Sequence, residues 1–188
     1  PSANVRTIVS HWDGSNASRG WNFGVTSEKS GYQPRNLILQ LIGDVPVEEK
    51  PQYEVIASNL RPELGKPYYV AVSVNVEDTT ETGVRFYMKD LSDPKSPIQA
   101  AFARHKVIGG YRPNIGVVIG DRDGPRRARW NGLIDNVRLS RKALAVEQLA
   151  IQGGSKSELA GFWEFNSSGK AGHDSSGSNN HVEVDGWG

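Results

Sequence analysis

Cysteine is absent from the chain, which removes disulfides and thiolate metal sites together. That absence leaves the compartment open, since exported bacterial domains also do without cysteine. Neither sign of charge dominates: 22 Lys and Arg stand against 21 Asp and Glu, so no bulk field points to a nucleic acid or a membrane surface. No apolar run approaches the roughly 20 residues that span a bilayer, and strong helical periods are few. In their place stand 21 glycines and 10 prolines among 188 residues, set between short alternating segments. This is the pattern of an all-β domain rich in turns. The length suffices for one domain with a substantial core and is short for two. The chain opens Pro1-Ser2-Ala3-Asn4 and is expected to be a processed or excised piece of a larger protein, with flanking domains.

Alternation with a period of two predicts strands over Val5–Ser10, Trp21–Val25, Asn36–Ile42, Tyr53–Ala57, Lys66–Val76, Gly83–Lys89, Pro97–Ala103 and Ile115–Ile119. The clearest is Lys66–Val76, with Tyr68, Val70, Val72, Val74 and Val76 on its apolar face. In the strand after it, Val84, Phe86 and Met88 point inward and Arg85, Tyr87 and Lys89 outward. Between the two lies the polar loop Glu77–Thr82. Its spacing matches no calcium loop, so it reads as a solvated turn. The basic run Arg126–Arg129 is short and isolated, and reads as an exposed loop flank.

The chain is organised around Trp130–Leu144, WNGLIDNVRLSRKAL. Period two sets Leu133, Asp135, Val137 and Leu139 on one face and Ile134, Asn136 and Arg138 on the other. An apolar, helix-compatible piece follows at Val146–Ile151. On this reading Asp135 is partly buried and needs hydrogen-bond donors, so it is expected to pin the neighbouring loop. The stretch resembles the C-terminal motif of laminin-G-like domains in the concanavalin A-like lectin/glucanase superfamily: an aromatic, Gly, then Ile-Asp-x-Val-Arg and an apolar residue before a short helix. Trp21 with its Arg19-Gly20 entry and the Val70-Ala71-Val72 strand are similar to family positions as well. The family's opening motif is also present, at the C-terminal end: Leu159–Asn166 with Trp163 and Phe165, then Asp174-Ser-Ser-Gly177 and His181. Either the chain runs into a following repeat, or the usual first strand arrives last and fills the same slot. The second is preferred, because a Trp/Phe strand without its sheet is an exposed apolar edge. The resemblance thus implies a single domain over 1–188, an all-β, two-sheet antiparallel jelly-roll sandwich with one short helix, completed by the C-terminal strand 159–166.

Candidate chemistry follows from side-chain types and from this resemblance. Glucanases of the superfamily place acids on one strand, and the near match here is Glu183 and Asp185; Gly186, Trp187 and Gly188 stand where a further acid is needed. Hydrolysis is therefore the alternative, not the first reading. His11, His105, His173 and His181 show no metal or triad spacing. The family implies calcium held by loop oxygens, for which Asp174 and Asn180 are the candidates, joined by Asp13 or Asp121; the competing role of Asp174 and Ser175 is to hold a turn. Glycan binding needs aromatic faces beside amides and carboxylates. Trp12, Asp13, Asn16 and Arg19 form the most suggestive loop, with Tyr111 and Trp130 as further candidates. Trp21, Tyr32 and Trp187 are also near loops or strand ends, while Trp163 is assigned to the core. The expected function is a non-catalytic recognition or adhesion module for a polysaccharide or glycoprotein, extracellular or periplasmic, without membrane insertion or nucleic acid. A purely structural or protein-interaction domain competes with it.

Overall fold

Strands form where period-two alternation coincides with β-branched and aromatic residues. In the computed structural model, which describes residues 5–46, 50–109, 115–125, 127–154, 158–166 and 172–183, they are β1 (Val5–His11), β2 (Gly20–Thr26), β3 (Leu37–Gly43), β4 (Gln52–Ala57), β5 (Tyr68–Val74), β6 (Val84–Asp90), β7 (Gln99–Ala103), β8 (Val118–Ile119), β9 (Val137–Ser140) and β10 (Leu159–Trp163). The helix expected over Val146–Ile151 is realised as two 3-10 turns, Val146–Gln148 and Ala150–Gln152. Among the described residues no helix is long and apolar enough to cross a membrane.

The chain forms two compact units, Pro1–Asn131 and Gly132–Gly188. In the first, a five-stranded antiparallel sheet runs β4-β3-β2-β1-β8 and a three-stranded one β5-β6-β7. The architecture is sandwich-like: Phe23, Val25, Leu37, Leu39, Leu41 and Ile56 from the larger sheet share one buried cluster with Val84, Phe86 and Met88 from β6, and Val107 joins them. Alternation sets Asn22, Ile38, Gln40 and Ile42 on the opposite face of the larger sheet, and these are buried too. A bulge between Thr7 and Val9 in β1 restores pairing after an extra residue. Gly24 allows the close approach of β1, since a Cβ there would lie 2.3 Å from the Arg6 carbonyl oxygen.

The second unit holds the antiparallel pair β9–β10, in which Trp163 pairs with Val137. The strand expected through Leu133 and Asp135 begins only at Val137. Asn136 adopts a left-handed φ of 52°, which breaks the period of two ahead of it. The expected burial of Asp135 is therefore corrected: Leu133 is 99% exposed, and the exposed Asp135 carboxylate accepts from the Asn136 backbone N–H at 2.9 Å and from Asn136 Nδ2 at 2.8 Å. Tyr87, expected on the solvent side, is corrected as well. It is buried, with Ala71 and Ala100 as its partners in register.

The two phenylalanines of the three-stranded sheet separate its faces. Phe86 is fully buried and Phe102 is exposed. Phe86→Ala is expected to lower unfolding stability by about 3–5 kcal/mol, and Phe102→Ala by less than about 0.5 kcal/mol, as measured by urea denaturation at low protein concentration.

Candidate functional site

Two amides interrupt the apolar strands of the larger sheet, Asn22 in GWNFGVT and Gln40 in LILQLIG. They lie opposite one another in register and are buried, as is Thr7 on β1. A buried polar group left without a partner costs about 1–3 kcal/mol, and these residues satisfy one another. Thr7 Oγ1 donates to Asn22 Oδ1 at 2.7 Å, Asn22 Nδ2 to Gln40 Oε1 at 2.7 Å, and Gln40 Nε2 to Tyr53 Oη at 2.5 Å. The chain of bonds crosses β1, β2, β3 and β4 and ends on a tyrosine that is 39% exposed. Burial pushes the Tyr53 phenol above its ordinary value against the Gln40 hydrogen bond, with nearby Tyr32 adding to the rise and Arg122 opposing it. The hydroxyl therefore stays neutral and keeps a proton to donate.

Tyr53 stacks on Trp12, with centroids 5.9 Å apart and planes inclined by 26°. The Arg122 guanidinium sits 5.2 Å from the Trp12 ring centroid, and Trp12 Nε1 donates to the Ser15 carbonyl at 2.8 Å. Trp12 is only 2% exposed. It supports Tyr53 from beneath and offers no open face of its own. Tyr32, which is near Tyr53 electrostatically, is itself exposed.

The other residues proposed from the sequence serve this loop or stand apart from it. Asp13 accepts from Ser15 N–H at 2.8 Å and from the Ser18 hydroxyl at 2.6 Å, closing the turn. Gly124, at φ 82°, sits against the Asp13 carbonyl, 3.0 Å from where a Cβ would be. Asn16 is exposed, and Arg19 forms an exposed ion pair with Asp44 at 2.5 Å. Trp130 is half-buried and packs against the core. Tyr111, Arg126, Asp185 and Trp187 lie outside the described residues. Asp121 accepts from the Arg122 and Ala128 backbone N–H groups at 2.8 and 2.7 Å and pairs with Arg127 and Arg129 at 3.3 and 3.5 Å. In the Glu77–Thr82 loop, Asp78 accepts from Thr80 and Thr82 hydroxyls, which hold its carboxyl below the ordinary value. His105 is buried and ties the segment after β7 to the end of β5, its ring nitrogens 2.8 Å from the Val107 oxygen and 2.9 Å from the Asn75 oxygen. His11 Nε2 lies 2.8 Å from the Ile115 oxygen. Glu183 is exposed.

In the second unit Asp174 is 3% exposed. Its Oδ1 accepts from Phe162 and Ser176 N–H groups at 2.8 and 2.9 Å. Its Oδ2 accepts from the Ser176 hydroxyl and Asn180 N–H, both at 2.9 Å. Asn180 Nδ2 donates to the Ala160 carbonyl at 2.7 Å, and the Asn180 carbonyl accepts from Trp163 Nε1 at 3.0 Å. Both side chains thus tie their turn to β10, through the Phe162 N–H and the Ala160 carbonyl. His181 Nδ1 accepts from Asp174 N–H at 3.0 Å and its ring stacks on His173 with centroids 4.8 Å apart. Among the described residues no three His, Asp or Glu side chains group as a metal site would require.

No family model matches the chain, and no curated protein or solved structure matches it.

Burial alone would raise the Asp174 carboxyl, but the four hydrogen bonds outweigh it and hold the group at about 2, below its ordinary 3.8. A depressed folded value means stabilisation that is complete above the ordinary value and lost as pH falls through the folded one. Asp174→Asn is expected to cost about 2 kcal/mol at neutral pH, because an amide nitrogen then faces donors. The gap between wild type and variant in urea midpoint is expected to shrink between about pH 4 and pH 2.

Proposed function

We propose that this chain is a non-catalytic recognition module, of the laminin-G-like kind its sequence resembles, and that its ligand is a carbohydrate held at Tyr53. The carrying observation is that Tyr53 combines an exposed ring with a hydroxyl fixed from behind: the ring rests on Trp12 and the oxygen on Gln40. A sugar presents an apolar C–H face and a rim of hydroxyls, and a tyrosine meets both. Because the Tyr53 side chain is already held, little rotamer freedom remains to be lost on binding. Tyr32 is exposed as well and lies close enough to influence the Tyr53 phenol. A polysaccharide or a glycoprotein suits this site, in an extracellular or periplasmic setting.

The Tyr53 surface is built from amides and aromatic rings, so binding is expected to be independent of calcium. The test is binding of the purified chain to a panel of soluble and insoluble polysaccharides, with calcium and then with chelator. Tyr53→Ala is expected to weaken binding at least about tenfold, and Tyr53→Phe by less, while Asn16→Ala leaves it unchanged. Undiminished binding by Tyr53→Ala, or binding abolished by chelator, would contradict the proposal. Failure to bind any polysaccharide would leave the protein-interaction reading.

A further inference from the structure

β7 reads Gln99-Ala-Ala-Phe-Ala103 and is an outer strand of the sheet β5-β6-β7. It pairs regularly with β6 over all its residues. Among the described residues no backbone hydrogen bond reaches it from outside that ladder. An open edge presents a row of N–H and C=O groups that template another strand, and proteins commonly blunt such edges with charge, proline, bulges or short length. The two outer strands of the larger sheet carry such protection. β4 bears Glu54, whose carboxylate accepts from the Lys106 N–H at 2.7 Å, and β8 has two residues. β5 is half-buried along nearly its whole length. β7 has no charge, no proline and no bulge. Gln99 and Ala100 are exposed, and Phe102 is 58% exposed.

We propose that β7 pairs antiparallel with β7 of a second copy of this chain, about a two-fold axis at Ala101. The strand is complementary to its own reverse. In that register each exposed Phe102 stands opposite the exposed Ala100 of the second copy, so a large side chain meets a small one twice. Gln99 stands opposite Ala103. The flanking Arg104 groups fall at opposite ends of the seam, and each is paired with Glu81 at 3.1 Å, so no like charges meet. An aromatic cross-strand partner adds to such a pairing. A seam of five residues from each copy falls below the roughly 1,200 Å² at which standard interfaces begin, so the dimer is weak and concentration-dependent.

Sedimentation velocity of the full chain from about 10 μM to about 1 mM is expected to show a monomer–dimer equilibrium. Phe102→Lys and Ala100→Lys are each expected to weaken it at least about tenfold, with unchanged circular dichroism and thermal midpoint. Because the chain has no cysteine, Ala101→Cys introduces a single thiol. Residues directly opposite in an antiparallel pair have Cα atoms about 4.5–5.5 Å apart, within disulfide reach. Mild oxidation is expected to cross-link Ala101→Cys well before Leu64→Cys, an exposed position elsewhere. A monomer at every concentration, a dimer untouched by Phe102→Lys, or equal cross-linking at both positions would overturn the proposal.

Discussion

A buried amide in the middle of a sheet must find a partner, and the first unit depends on how Asn22 and Gln40 meet that demand. Their bonds to each other, to Thr7 and to Tyr53 join side chains from four neighbouring strands. A one-residue slip of any of these strands would turn its member to the other face. The relay therefore fixes register across the sheet, and the same register delivers Tyr53 to the surface. Structure and site share one set of hydrogen bonds.

Asp174 plays the corresponding part in the second unit. It gathers four donors around one carboxylate, and Asn180 continues the arrangement through its own amide and carbonyl. In both units the most deeply buried polar groups are those whose bonding capacity is used internally. Tyr53 differs because its hydroxyl accepts one internal bond and its ring reaches solvent. That difference distinguishes a supporting aromatic such as Trp12 from one able to meet a ligand.

Much of the strand pattern was legible, because alternation with a period of two is a local property. Lys66–Val76 and Gly83–Lys89 announce the pair β5–β6, and Val84, Phe86 and Met88 face the core as their spacing requires. Features that depend on the third dimension were not. Asn22 and Gln40 are conspicuous as polar residues inside apolar strands, yet their partners follow from the pairing of β1 to β4, which no local window contains. Tyr53 looked like an ordinary strand residue for the same reason. Trp12 sits in a loop dense in turn formers, and only the fold brings Tyr53 and Arg122 over its ring. Asp135 failed for a local reason, the left-handed turn at Asn136, which alternation alone does not foresee. Asp174 was visible as a turn former, and the turn that holds it is the one its Asp-Ser-Ser-Gly sequence suggests.

The most direct test of the Tyr53 surface as the recognition site is two-dimensional NMR of the chain titrated with an oligosaccharide fragment of its best-bound polysaccharide. The predicted result is a set of shift changes centred on the Gln40 side-chain amide and the Tyr53 and Tyr32 rings, with the Asp174 turn unmoved. Changes centred on residues 172–181, with the Gln40 amide unaffected, would contradict the account.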